Sequence, residues 1–174
     1  YLPKGVVGIV APWNYPLSMS ITDALPALAA GNAVVLRPDE KSSFTCLRAV
    51  ELCDEAGLPE GLLQVVLGDG PNVGGAVLEH ADSVMFTGST KTGRIVARDA
   101  GERLKSASLE LGGKNAMYIA DDADLTRAAE CAQRAVFASA GQLCISIERL
   151  VVHEKIADEF LRRFLERVAG TRRR

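Results

Sequence analysis

Short apolar runs recur through the first part of the chain, and glycine or proline lies close to their ends. The first covers residues 6–11 and stops at Pro12, and the second covers residues 33–36. Two more follow at residues 62–67 and 84–86. Strands that are apolar without alternation are typical of a parallel sheet that is covered on both faces. The pattern therefore favours a buried parallel sheet over an antiparallel one.

Helix-sized segments separate these runs. We predict four of them: residues 18–30, a helix that starts at Ser42 or Ser43, residues 72–80 and residues 90–100. The second helix carries one apolar face, formed by Phe44, Leu47, Val50 and Cys53. Leu109 then lies in a fifth strand. This alternation of strands and helices with short connections predicts an α/β fold with a doubly wound parallel, Rossmann-like sheet.

The pattern changes near residue 120. An extended run at residues 116–120 is followed by three predicted elements: a helix at 124–139, a strand at 150–152 and a helix at 155–168. We therefore predict one domain over residues 1–119 and the start of a second α/β domain over residues 120–174.

Charge gives no reason to expect a nucleic acid or membrane partner. Lys and Arg number 20 against 22 for Asp and Glu, which leaves a net charge of −2. The one basic run, Arg172-Arg173-Arg174, is too short to form a binding surface by itself. Within these residues we find neither a leader pattern nor an apolar run of transmembrane length.

The four cysteines are Cys46, Cys53, Cys131 and Cys144. Their spacing matches neither a CxxC motif nor a zinc-ligand pattern, so we predict no metal site. Cys46 and Cys53 share one face of the predicted second helix and are expected to pack in the core. Free thiols favour a reduced, cytoplasmic setting.

Two motifs place a carboxylate and a thiol on either side of one helix. Glu110 lies in Leu-Glu-Leu-Gly-Gly-Lys-Asn (109–115), and Cys144 lies in Gly-Gln-Leu-Cys (141–144). Such a pair could combine a nucleophile with a base that later activates water. Taken alone, the spacing is also compatible with a solvated carboxylate and a cysteine that merely packs.

These motifs, together with Ala11-Pro12-Trp13-Asn14-Tyr15-Pro16 and Phe86-Thr87-Gly88-Ser89, resemble four motifs of the aldehyde dehydrogenase superfamily in the family's order. The resemblance extends over about residues 1–169. It implies a partial NAD(P)-binding domain over residues 1–119 and a truncated catalytic domain over 120–174. Family members are several hundred residues long, so we expect this chain to be a fragment of a longer, homo-oligomeric parent.

The resemblance also implies the roles of three catalytic residues. Cys144 would attack an aldehyde, and the Asn14 side chain with the Cys144 N–H would hold the oxyanion. Hydride transfer to the nicotinamide would leave a thioester. Glu110 would activate the water that releases a carboxylic acid.

The cofactor site implied by the resemblance has seven members: Trp13, Arg37, Glu40, Gly68, Gly88, Ser89 and Leu111. There is no G-x-G-x-x-G motif, since Gly68-Asp69-Gly70 lacks the third glycine. Gly88 and Ser89 open a helix, where N–H groups can meet a pyrophosphate, although they also fit a simple turn and N-cap.

Arg37 and Glu40 bear on the choice between NAD and NADP. The family usually has Lys at the position of Arg37, so this is a departure from its pattern. Glu40 lies where NAD-preferring members carry an acid, which would bond ribose hydroxyls and repel a 2′-phosphate. We therefore expect NAD to be preferred, with NADP also possible. Trp13 and Tyr15 are expected to support Asn14.

The sequence leaves open which small aldehyde is the substrate. Residues 141–149 resemble bacterial succinate-semialdehyde dehydrogenases. However, the two positions where better-studied members hold the substrate carboxylate with arginine correspond to Thr22 and Ala138, which cannot form charge-assisted bonds. An apolar or aromatic aldehyde is the alternative substrate. The alternative functions are an inactive nucleotide-binding fragment and a cysteine hydrolase, for which no histidine lies near Cys144 in the sequence.

Overall fold

The computed structural model describes residues 2–171, so Tyr1 and the basic run at 172–174 lie outside the described residues. The chain divides into two compact units, Tyr1–Gly112 and Gly113–Arg174. This division comes before the predicted boundary at residue 119. The reason is that the strand Asn115–Ile119 pairs with a strand of the second unit, and so belongs to it.

The first unit contains one parallel sheet. Its five strands are β1 Val6–Val10, β2 Ala33–Arg37, β3 Leu63–Val65, β4 Ser83–Gly88 and β5 Ser106–Leu111. Their spatial order is β3-β2-β1-β4-β5. The predicted parallel sheet is therefore confirmed, and all five strands lie where the sequence predicted them.

Five helices connect these strands: α1 Pro16–Ile21, α2 Ala24–Ala29, α3 Ser43–Glu55, α4 Gly75–His80 and α5 Thr90–Glu102. The single helix predicted over residues 18–30 is in fact two. Pro26 lacks an N–H, and its ring crowds the carbonyl four residues earlier, at Thr22, which disfavours a continuous helix.

The helices cover both faces of the sheet. The core on one face is formed mainly by Ile9, Val34 and Leu36 with Ala24, Cys46 and Val50 of the helices. The core on the other face combines Val10, Val84 and Phe86 with Val77, Leu78 and Val96. The doubly wound arrangement is therefore confirmed.

One position of a helix face was predicted incorrectly. Phe44 at the start of α3 is 89 % exposed. The helix buries Cys46, Ala49 and the predicted Val50, and the predicted Cys53 packs against the same core. Phe44 is therefore the member of the predicted face that lies outside the buried stripe.

The second unit is a β-α-β-α segment. Its elements are β6 Asn115–Ile119, α6 Leu125–Phe137, β7 Ile147–Val152 and α7 Ala157–Ala169. The two strands are parallel, and Ile119, Ala129, Ala132 and Phe160 form the core beneath them. Among residues 2–171, we find no helix with the length and apolar character needed to cross a membrane.

Candidate active site

The predicted site residues of the first unit gather at one edge of its sheet. Because the strands are parallel, the segments that follow their carboxyl ends lie along the same edge. The predicted residues are distributed as follows: Trp13 and Asn14 after β1, Arg37 and Glu40 at the end of β2, Gly68 after β3, Gly88 and Ser89 at the end of β4, and Glu110 and Leu111 at the end of β5. In the order β3-β2-β1-β4-β5, the chain reverses direction across the sheet at β1. Open α/β sheets bind ligands outside such a reversal point.

The segment after β1 leads directly into α1. Ala11 continues the strand pairing by donating to the Arg37 carbonyl at 3.0 Å. Tyr15 is the N-cap residue of α1, and Pro16 opens the helix, which suits a position that needs no N–H partner. The Trp13 ring lies 5.3 Å from Nζ of Lys41 in a cation–π contact. Asn14 therefore lies between the half-exposed Trp13 and the residue that caps α1.

Arg37 is buried at the end of β2, and its guanidinium joins two neighbouring loops. Nε and Nη2 donate to the Gly68 carbonyl at 3.0 and 2.8 Å. Nη2 also donates to Glu40 Oε1 at 3.1 Å. The arginine that departs from the family pattern thus holds the β3 loop, and it partly neutralises the Glu40 carboxylate.

Gly68 is required by its backbone and by its surroundings. Its φ is +145°, and a Cβ there would lie 2.4 Å from Cγ2 of Val73. Only glycine combines such a φ with so close a neighbour. The structure assigns Gly68 a turn and a carbonyl acceptor for Arg37.

Ser89 caps α5. Its hydroxyl accepts from the Thr92 N–H at 3.2 Å, and the first intrahelical bond runs from the Gly93 N–H to the Ser89 carbonyl at 2.8 Å. The N–H groups of Thr90 and Lys91 precede that bond and point out of the helix start. Such N–H groups, at the positive end of a 13-residue helix, suit a phosphate.

Glu110 is exposed at the end of β5, where it pairs in register with Thr87. Its charge reaches Asp23 at the start of α2. The pKa of Asp23 is raised mainly by burial and also by the Glu110 carboxylate. Leu111 packs its side chain over Gly93, where a Cβ would lie 2.4 Å from Leu111 Cδ2. Leu111 is half-buried in this position.

Cys144 lies in the second unit, on the loop that leads into β7, and it is exposed. The Ser146 N–H donates to the Leu143 carbonyl at 3.1 Å and closes a turn around the cysteine. The Asn115 side chain holds this turn from β6. Nothing in the sequence pattern had singled out Asn115.

The backbone before this turn is strained. Ser139 and Ala140 have φ values of +50° and +55°, and Gly141 follows at +75°. Left-handed backbone costs a residue with a side chain about 1–2 kcal/mol. Strain of this kind is concentrated at functional sites.

The other cysteines have different surroundings. Cys46 is buried, which raises the pKa of its thiol against the opposing effect of a hydrogen bond with Ser20. Cys53 is half-buried on the same helix, and Cys131 is exposed on α6. The expected packing of Cys46 and Cys53 is confirmed. Within residues 2–171, no group of three His, Cys, Asp or Glu side chains could hold a metal ion.

Comparison with known proteins gives a consistent assignment. The model of the aldehyde dehydrogenase family matches residues 1–173. A protein of Mycolicibacterium smegmatis that is provisionally named succinate-semialdehyde dehydrogenase (NADP+) is 54 % identical over 170 residues, which are 98 % of this chain and 33 % of that protein. The chloroplastic betaine aldehyde dehydrogenase of Amaranthus hypochondriacus is 48 % identical over 94 % of this chain and 33 % of its own length.

The structure also superposes on solved structures. An NAD-dependent aldehyde dehydrogenase from Sinorhizobium meliloti gives a TM-score of 0.91 at 42 % identity, covering 95 % of this chain and 33 % of that one. The chain thus spans about a third of the length of the proteins it matches. A match over residues 1–173, joined to a shared fold at this identity, shows that the chain belongs to the aldehyde dehydrogenase family.

Proposed function

We propose that the polypeptide containing this chain oxidises an aldehyde to a carboxylic acid with NAD(P). The observation that carries the proposal is the gathering of Asn14, Ser89 and Glu110 at one edge of the sheet, outside its reversal point. One surface therefore carries the Asn14 amide donor, the helix start at Ser89, whose N–H groups suit a phosphate, and the Glu110 carboxylate base. Cys144 of the second unit supplies the nucleophile in this proposal.

Each residue has a role that suits its chemistry. The Cys144 thiolate adds to the aldehyde carbon and forms a thiohemiacetal. The Asn14 amide and the Cys144 N–H stabilise the oxyanion. After oxidation, Glu110 takes a proton from water, which hydrolyses the thioester and releases the acid.

The first unit fits a dinucleotide. The N–H groups at the start of α5 suit the pyrophosphate, and the Arg37–Glu40 pair lies at the end of β2, where an adenosine ribose binds in sheets of this kind. When bound, NAD(P) accepts the hydride. The proposed contacts of Trp13, Arg37, Glu40, Gly68, Gly88, Ser89 and Leu111 follow from this placement.

Succinate semialdehyde is the first proposed substrate, because the similar Mycolicibacterium protein bears that name. An uncharged aldehyde is the second, and the structure favours it at two positions. The Thr22 hydroxyl is occupied by a bond to the Ser18 carbonyl at 2.6 Å, and Ala138 has no polar side chain. Comparing kcat/KM for succinate semialdehyde and for benzaldehyde would separate the two, since a site that holds the carboxylate should favour the former about a hundredfold.

The experiment that tests the activity uses the complete polypeptide that contains these residues. Reduced nicotinamide should accumulate when aldehyde and NAD or NADP are added to the wild type. Cys144→Ala should lower kcat at least about a thousandfold, because no other group replaces the nucleophile. Cys131→Ala is the matched control, since it removes another exposed thiol of the same unit.

Two results would contradict the proposal. An equal loss in both cysteine variants would remove Cys144 from the reaction. Ester hydrolysis without any cofactor, and with no cofactor-dependent oxidation, would instead indicate a cysteine hydrolase. A chain that binds NAD yet oxidises no aldehyde would be a nucleotide-binding module.

A further inference from the structure

The Asn115 side chain bridges two carbonyl groups of the cysteine loop. Its Nδ2 donates to the Cys144 carbonyl at 2.6 Å and to the Ser146 carbonyl at 3.0 Å. An amide nitrogen carries two protons, so this side chain spends both on the same turn. The two acceptors flank Ile145 and belong to the residues on either side of it.

Neighbours of Asn115 hold the segment that follows the loop. Arg149 donates from Nη2 to the Lys114 carbonyl at 2.8 Å, and Lys114 forms an ion pair with Glu148. The register between β6 and β7 shifts here, because Asn115 pairs with Ile147 and Ala116 pairs with Arg149. Glu148 is therefore an extra residue, and such bulges redirect side chains beside active sites.

Ile145 and Ser146, which follow the cysteine in this loop, differ in their exposure. Ile145 is 73 % exposed. Ser146 is 2 % exposed, yet its hydroxyl has no hydrogen-bond partner among the described residues. Burial of an unpaired hydroxyl is unfavourable. The position of Ser146 must therefore be maintained by its backbone, through the Leu143 turn and Asn115.

We propose that Asn115 is a positioning residue for Cys144, and that it sets the direction of the thiol by fixing the carbonyls of residues 144 and 146. This inference rests on the proposed function only for its effect on catalysis. With the carbonyls of residues 144 and 146 held by Asn115, the backbone of Cys144, including its N–H, keeps one orientation in the turn. A nucleophile and an oxyanion donor on one fixed turn need no reorganisation during the reaction.

The first test is independent of activity. Amide hydrogen exchange at Ser146 should accelerate about tenfold in Asn115→Ala, since the two Asn115 bonds that support the turn are lost and the remaining Ser146–Leu143 bond opens more often. Asn115→Ser keeps one donor and should fall between the wild type and Asn115→Ala. If the alanine variant does not fold, the serine variant still supplies the comparison.

Asn32→Ala is the matched control. Asn32 is likewise an asparagine whose side chain bridges backbone groups, accepting from the Lys4 N–H at 2.7 Å and donating to the Ala27 carbonyl at 2.9 Å. It lies in the first unit. Its loss should lower the melting temperature and leave exchange at Ser146 unchanged.

The second test measures kinetics in the complete polypeptide. Asn115→Ala should lower kcat about tenfold or more, because a nucleophile displaced by even about 1 Å reacts far more slowly. KM for the aldehyde and Kd for the cofactor should hold within about twofold, as no binding group is removed. Asn32→Ala should retain the wild-type kcat.

The outcomes separate this inference from the proposed function. If exchange accelerates while the wild type oxidises no aldehyde, the proposed function fails and the structural role of Asn115 stands. If the wild type is active and neither exchange nor kcat changes in Asn115→Ala, the inference is overturned. Faster exchange with an unchanged kcat overturns it as well, because the turn would then not govern the reaction.

Discussion

Arg37, a residue of the proposed cofactor site, also holds part of the fold in place. Its guanidinium is nearly fully buried, with a side-chain exposure of 7 %, whereas its partner Glu40 is 60 % exposed. The bonds to Gly68 keep Arg37 in place whether or not Glu40 is charged. The charge of Glu40 can therefore change without displacing Arg37. Its carboxylate lies between the fixed Arg37 guanidinium and solvent.

We expect Glu40→Gln to favour NADP. Without the carboxylate, Arg37 presents an uncompensated charge to a 2′-phosphate. The ratio of kcat/KM for NADP to that for NAD should rise about fivefold, since one exposed, solvent-screened charge at contact distance contributes about 1 kcal/mol. Initial rates with each cofactor in the complete polypeptide would measure it.

Glu51→Gln is a suitable comparison for that experiment. It also removes a carboxylate from an arginine, since Glu51 pairs with Arg48 at 3.0 Å on α3. The cofactor ratio should not change in this variant. A similar rise in both, or no rise in Glu40→Gln, would contradict a ribose-side role for Glu40.

At the scale of single residues, the sequence predicted what motifs carry and missed what tertiary contacts decide. Cys144, Glu110 and Asn14 were singled out because their neighbours repeat a recognisable pattern, and their catalytic roles stay predictions. Nothing in the sequence indicates that Arg37 bonds to a carbonyl 31 positions away. Asn115 lies inside a motif, but its bonds to residues 144 and 146 exist only once β6 and β7 pair.

Helix α7 shows a charge network on an element. Arg162 and Arg163 both bond to Glu159, and these bonds hold the pKa of Glu159 at about 2, below its ordinary value of 4.5. The folded chain therefore keeps this carboxylate ionised where the unfolded chain would protonate it. The resulting stabilisation is complete above pH 4.5 and is lost as the pH falls from 4.5 to about 2.

Glu159→Gln should consequently lower stability at pH 7 and cease to matter near pH 2. Urea unfolding at several pH values would show the two curves converging through the acid range. The exposed Glu79 on α4 provides a control, and Glu79→Gln should lower the stability at pH 7 less than Glu159→Gln does. Parallel curves for wild type and Glu159→Gln at all pH values would exclude the proposed linkage.

Elements were predictable where burial left a pattern in the sequence. Strands β1, β2 and β4 are predictable because they are largely buried and apolar, whereas β5, with the sequence SASLEL, is mostly exposed and carries a weaker pattern. Residues 18–30 form two helices and not one, because Pro26 disfavours a continuous helix through Thr22. The spacing of Phe44 predicts a core position, but spacing alone does not show which end of an apolar stripe the neighbouring elements cover.

At the scale of the whole chain, the second unit leaves apolar surface exposed. Tyr118 and Val151 are 63 % and 51 % exposed, and they are direct neighbours across β6 and β7. Leu161 and Leu165 on α7 are 52 % and 54 % exposed. A two-stranded sheet with such side chains is a surface that associates readily.

We expect these 174 residues, prepared alone, to self-associate. Replacing Tyr118 and Val151 together with threonine should shift the chain toward the monomer in light scattering, since threonine keeps the β preference and removes apolar area. Replacing Leu52 on α3 and Ile95 on α5 with threonine serves as the control, because these exposed side chains lie on separate helices of the first unit. A monomeric wild type would show that the exposed sheet face does not cause self-association.

The left-handed run before Cys144 has a consequence for how the protein can change over generations. Glycine, asparagine or aspartate at positions 139 and 140 would cause little conformational strain, since these residue types adopt the left-handed conformation readily. Valine, isoleucine or threonine at these positions would change the backbone conformation of the loop and displace the Cys144 thiol. Natural variation at these two sites should therefore be confined to small or short polar residues, whereas the sequence of the adjoining helix can vary more freely.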